Sequence, residues 1–155
     1  MRGLVKKSLI LMALAVSSSI YADVNTAMTQ NSGAIVMTEK QYQWTTVPTQ
    51  FISADGVSFA YREYGQQNGG TPVIFLNHLA AVMDNWDPRI IDGIAAKHHV
   101  VIFDNRGIGA STGEPAMSIE QMADDAITFI QAKGFKQVDL FGFSMGGMIS
   151  QEIVL

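Results

Sequence analysis

Near its carboxyl end the chain reads Gly142-Phe143-Ser144-Met145-Gly146-Gly147, the spacing G-x-S-x-G. A serine hydroxyl is a weak nucleophile by itself. It becomes effective when a turn thrusts it towards a base and beside donors for a developing oxyanion. The flanking residues predict such a turn. Val138-Asp139-Leu140-Phe141 is an apolar run suited to a strand, and Met148 to Leu155 suits a helix. Strand, sharp turn and helix together make a nucleophile elbow, with Ser144 at its tip. Gly142 and Gly146 flank it because a side chain at either position would collide with the neighbouring strand or helix. The turn also aims the first N–H groups of the helix at the reacting atom, so the Met145 N–H is the first candidate oxyanion donor.

The preceding chain supplies elements that could carry this turn. Gln41 to Val47, with Tyr42, Trp44 and two threonines, predicts a first strand ending at Pro48. Gln50 to Ser53 and Val57 to Tyr64 flank Ala54-Asp55-Gly56, and Asp-Gly between two such runs predicts a β-hairpin. Pro72 to Asn77 is an unbroken apolar run, the pattern of a strand buried on both faces. After a loop, Asp87-Pro88 opens a helix to about Lys97, with proline at the first helical position. His99 to Asp104 predicts a second buried strand, followed by the glycine-rich loop Asn105 to Gly113. Ser118 caps the next helix with Gln121 at the reciprocal position of a capping box, and Gly134 ends it. Its apolar face is Ile119, Met122, Ala123, Ala126, Phe129 and Ile130. Gln137 to Phe141 then enters the elbow. A hairpin followed by β-α-β-α-β-α implies an α/β fold, with parallel strands and helices on both faces of the sheet.

The 155 residues are enough for one domain. Cysteine is absent, which excludes disulfides, thiolate metal sites and a thiol nucleophile. Arg2, Lys6 and Lys7, then the apolar stretch Leu9 to Val16, then Ser17 to Ala22 form the pattern of a secretory signal peptide, 1–22, cut after Ala22. Its apolar stretch is short for a membrane span, and nothing later is long and apolar enough for one. The expected location is therefore secreted or periplasmic, with no membrane partner after cleavage. Cleavage removes three positive charges and no negative ones, taking the formal charge from −4 to −7. An acidic mature chain without basic clusters argues against nucleic acid as a partner. Residues 23–40 are polar and aperiodic and read as a flexible leader, which leaves 41–155 as the folded part.

In combination, four stretches resemble the amino-terminal part of the α/β-hydrolase fold superfamily. They are the hairpin, Leu76-Asn77-His78-Leu79 followed by Asn85-Trp86-Asp87, Phe103 to Ser111, and Gly142 to Gly147. The likeness covers about residues 41–155. It points to the group of small carboxylesterases, cofactor-free haloperoxidase-like enzymes, enol-lactonases and C–C bond hydrolases. The resemblance implies a mostly parallel sheet with an amino-terminal antiparallel hairpin, and a serine hydrolase that cleaves ester-like carbonyl substrates through an acyl-enzyme. It makes Ser144 the nucleophile and the backbone N–H groups of Met145 and Leu79 the oxyanion donors. His78 stands where the group usually has glycine. Asp104 and Arg106 become structural residues that hold the loop after their strand.

The resemblance also implies an acid and then a histidine after the nucleophile. None of the eleven residues after Ser144 is histidine, and their one acid, Glu152, would lie roughly 12 Å along the helix axis. The expected chain is thus truncated after the elbow helix, with the elbow strand as an apolar sheet edge. The alternative to a serine hydrolase is a non-catalytic remnant that binds a small ligand or a partner chain. The sequence implies a small-molecule substrate, with no metal and no organic cofactor, and leaves the oligomeric state open. His98 and His99 are adjacent, so on a strand they face opposite sides and make a poor metal pair. Gly107-Ile108-Gly109 is a poor dinucleotide loop, because its third glycine comes late, at Gly113, and Pro115 interrupts any helix opening from it.

Overall fold

The computed structural model describes residues 42–155. The expected signal peptide and leader, residues 1–40, lie outside the described residues. Five strands form one mixed sheet: β1 (Gln50–Ala54), β2 (Val57–Tyr64), β3 (Val73–Leu76), β4 (Val100–Phe103) and β5 (Asp139–Gly142). Their spatial order is β1-β2-β4-β3-β5. The three helices are α1 (Pro88–Ala95), α2 (Ile119–Ala132) and α3 (Met145–Val154). β1 and β2 pair antiparallel, and β2 pairs antiparallel with β4. β3 runs parallel to both β4 and β5.

Local chemistry accounts for most boundaries. Asp55 and Gly56 both have positive φ, 47° and 74°, which is the tight hairpin turn expected of Asp-Gly. Asp87 caps α1 by accepting the Arg89 N–H, and Pro88 takes the first helical position. The Asp87 carboxyl is held below its ordinary pKa by hydrogen bonds from the Arg89 side chain and backbone. At Gly134, φ is 74°, its N–H donates to Gln131 O and the Phe135 N–H donates to Ile130 O. Those two bonds make a Schellman stop for α2. Ser118 caps α2 by accepting the Gln121 N–H, but Gln121 Oε1 accepts the Met117 N–H and not that of Ser118. The expected box is thus displaced by one residue.

The expected strand at 41–47 is not formed. Gln43–Thr46 is a 3-10 helix. Asp92 on α1 accepts the N–H groups of both Gln43 and Trp44, at 2.9 Å each. Thr45 and Thr46 turn their hydroxyls back onto the carbonyls of Tyr42 and Gln43. Side-chain partners thereby take the place of a ladder and override β propensity.

The sheet separates two cores by the two-residue alternation of its strands. On one side Phe59, Tyr61, Ile74, Leu76, Val101 and Phe103 pack against Ala126, Phe129, Ile149 and Ile153 of α2 and α3. On the other, Ala60, Phe75, Val100 and Ile102 pack against Trp44, Met83 and Ile91. Helices cover both faces, as the β-α-β alternation predicts. Among the described residues no helix is long and apolar enough to cross a membrane.

Candidate active site

β3 and β5 lie side by side with Leu76 opposite Gly142, so the loops leaving their carboxyl ends emerge together. After β5 the chain turns sharply into α3. Ser144 has φ 53° and ψ −117°, outside the regions a non-glycine residue favours. Its side chain is exposed, and among the described residues it accepts or donates no hydrogen bond. Close backbone contact holds the turn. A Cβ on Gly146 would lie 1.9 Å from the Leu76 carbonyl oxygen, and one on Gly142 would lie 2.3 Å from the Gly146 oxygen. The Phe143 N–H reaches Leu76 O at 3.3 Å, and the Gly146 N–H closes the turn onto Phe143 O at 2.9 Å.

The turn after β3 is built differently. Asn77 is buried, and its amide is spent at both ends. Nδ2 donates to Phe103 O at 3.0 Å, and Oδ1 accepts the Trp86 indole N–H at 2.6 Å. Each partner can play only one role, so the amide orientation is determined. His78 to Ala81 then form a β-turn closed by the Ala81 N–H on His78 O at 3.2 Å. Ala80, at φ 57°, occupies its left-handed position. His78 Nδ1 lies 3.0 Å from Leu79 O, and its ring stands edge-on to Phe143 with centroids 5.6 Å apart.

Neither the Met145 N–H nor the Leu79 N–H has an acceptor among the described residues. Met145 is the first residue of α3, where no intrahelical partner exists. Both residues border one cleft of about 160 Å³, which Asn105, Arg106, Ile108, Ala116 and Met122 also line.

The loop after β4 forms the far wall of this cleft and is anchored at three points. Buried Asp104 accepts the N–H groups of Met83 and Ala110, at 2.8 and 3.1 Å. Ser111 donates to Asp104 O and accepts the Ala60 N–H. Arg106 makes a two-pronged contact with buried Asp125 on α2, and those hydrogen bonds raise the guanidinium pKa further above its ordinary value. Asp104 and Arg106 are therefore held in structural pairs, as the resemblance implied. His99 points to Glu63 at 3.2 Å while His98 is exposed, so the two adjacent histidines do not converge. Among the described residues no cluster of three metal-ligating side chains occurs.

Sequence reasoning missed the side chain of Asn77, whereas it read His78 as a loop histidine that shapes this turn. One signal was available for Asn77: a polar residue closing an unbroken apolar strand sits where burial demands partners.

An exposed serine at a strained strand-to-helix turn on a mixed α/β sheet defines a class of fold, and comparison with known proteins names it. Residues 71–155 match the α/β-hydrolase fold family. The chain belongs to that family. It is similar to an alpha/beta hydrolase fold protein from Chitinophaga pinensis, at 40% identity and a TM-score of 0.66 over 68% of this chain and 38% of that one. It is also similar to 3-oxoadipate enol-lactonase 2 of Acinetobacter baylyi, 30% identical over 67% of this chain and 39% of the relative. A third likeness is to Est816, described as an N-acyl homoserine lactone degrading enzyme. It is 30% identical with a TM-score of 0.58, over 67% of this chain and 39% of that one. The chain thus spans less than two-fifths of the length of these relatives.

Proposed function

We propose that this chain carries the nucleophile and oxyanion hole of a serine hydrolase acting on esters or lactones. The observation that supports this best is the exposed Ser144 at positive φ, followed directly by Met145, which lines one cleft together with Leu79, neither backbone N–H having an acceptor among the described residues. In this reading Ser144 Oγ attacks the carbonyl carbon and loses its proton to a histidine base. The carbonyl oxygen becomes an oxyanion that accepts from Met145 and Leu79. Expulsion of the alcohol leaves an acyl-serine, which water then hydrolyses. Two relatives whose names refer to lactones favour cyclic or linear esters as the substrate class.

No side chain among the described residues hydrogen-bonds Ser144 Oγ. The second reading is a binding module that retains the cleft but not the turnover. A fluorophosphonate probe separates the two. Covalent labelling of the folded chain that disappears in Ser144→Ala supports the nucleophile. A complete protein, carrying the histidine and its acid, that folds and stays unlabelled overturns it. Turnover of short esters and lactones follows only where a histidine and its acid are also supplied, since triad members act as a unit. Export by the 1–22 segment belongs to the same proposal, and periplasmic or extracellular recovery of a chain beginning at Asp23 would support it.

A further inference from the structure

We infer that His78 is a positioning residue whose imidazole clasps the oxyanion turn in the conformation that turns the Leu79 N–H outward. The inference rests on the reading of Ser144 as nucleophile.

The argument begins with one peptide unit. His78 C=O and Leu79 N–H belong to the same planar trans peptide, so they point in opposite directions. The carbonyl is tied into the turn by the Ala81 N–H at 3.2 Å. The Leu79 N–H must then point out of the turn, and it meets no acceptor there among the described residues. The turn is of the kind with positive φ at its third position, Ala80 at 57°, where glycine is favoured and alanine is strained. Something must hold the next peptide in place against that strain. Leu79 O is the free end of that peptide, and it lies 3.0 Å from His78 Nδ1.

A carbonyl oxygen only accepts, so Nδ1 must carry the proton. That leaves Nε2 as the lone-pair nitrogen of the neutral ring, the opposite of the tautomer that free imidazole side chains prefer in water. The ring is also fixed from outside. It stands at 90° to Phe143, the residue before Ser144, which couples the clasp to the elbow. One side chain thus bridges the two turns that supply the nucleophile and the second oxyanion donor.

Three variants of the full chain test this. Asparagine places an amide N–H the same number of bonds from Cα as Nδ1, whereas glutamine places it one bond farther. We expect the rate of fluorophosphonate labelling at Ser144 to fall about tenfold or more in His78→Ala and His78→Gln, in line with a misplaced oxyanion donor. His78→Asn should stay within about threefold of the parent, since the donor is kept. Thermal midpoints of all three, read alongside, separate lost folding from lost positioning. Independently of any labelling, ¹⁵N NMR of the neutral imidazole should report the Nδ1–H tautomer. An Nε2–H tautomer, or a glutamine variant as fast as the asparagine variant, overturns the clasp. A parent protein that carries the histidine and its acid, folds and shows the Nδ1–H tautomer but never labels retains the clasp and defeats the hydrolase reading.

Discussion

The turn after β5 and the turn after β3 stand side by side, and each holds a residue at positive φ, yet they are held by opposite means. The elbow is held by atoms that are missing. Gly142 and Gly146 let the start of α3 press against the end of β3, with no room for a Cβ at either position. The turn after β3 contains no glycine. It spends side chains instead: Asn77 between Phe103 and Trp86, and His78 on Leu79. Packed backbone is unforgiving, because interiors have no slack to absorb an extra methyl. A turn held by side-chain hydrogen bonds sits nearer solvent and can be retuned one residue at a time.

Four substitutions would break or sharpen this contrast. Gly146→Ala should have the largest effect. Its methyl meets the Leu76 backbone at 1.9 Å, and neither strand nor helix can move cheaply, so a loss of about 3 kcal/mol or more is expected. Chemical denaturation would read it, and a loss under about 1 kcal/mol would mean that the helix start is not pinned. Next comes Asn77→Ala, which leaves half-buried Trp86 Nε1 without its partner and removes the bond to Phe103 O. About 2 kcal/mol should be lost, with a change in Trp86 fluorescence as the local readout.

Gly147→Ala should go the other way. A Cβ there meets nothing closer than the Gly142 oxygen at 3.8 Å, an ordinary contact. Alanine inside a helix is favoured over glycine by about 0.8 kcal/mol, so the melting temperature should rise. If adjacent glycines 146 and 147 behaved alike, the contact argument for the elbow would fail. The smallest effect belongs to Ala80→Gly. It relieves the left-handed strain at a cost in unfolded-chain entropy, for a net gain of about 0.5 kcal/mol. The same change should make the turn depend less on His78, visible as a smaller effect of His78→Ala in the Ala80→Gly background.

Much of this could be read from residue order. The hairpin follows from Asp55-Gly56, the stop of α2 from Gly134 and the buried strands from the apolar runs at 73–76 and 100–103. These are local rules, in which turn chemistry and side-chain period act within a few residues. Gln43–Thr46 defeated the same rules because its partner, Asp92, lies almost fifty positions away. The box at Ser118 slipped by one residue because Gln121 can reach either of two neighbouring N–H groups, and spacing alone does not choose between them.

By itself, the sequence determined the serine, its flanking glycines and the class of fold, since backbone strain and hydrophobic period leave few residues able to stand at those places. Tertiary structure decided which donors stay free. Whether the N–H groups of Met145 and Leu79 have acceptors depends on how β3 and β5 meet, and on Asn77 and His78 finding partners across that junction. Hydrogen-bond direction between distant segments is not written in any local spacing.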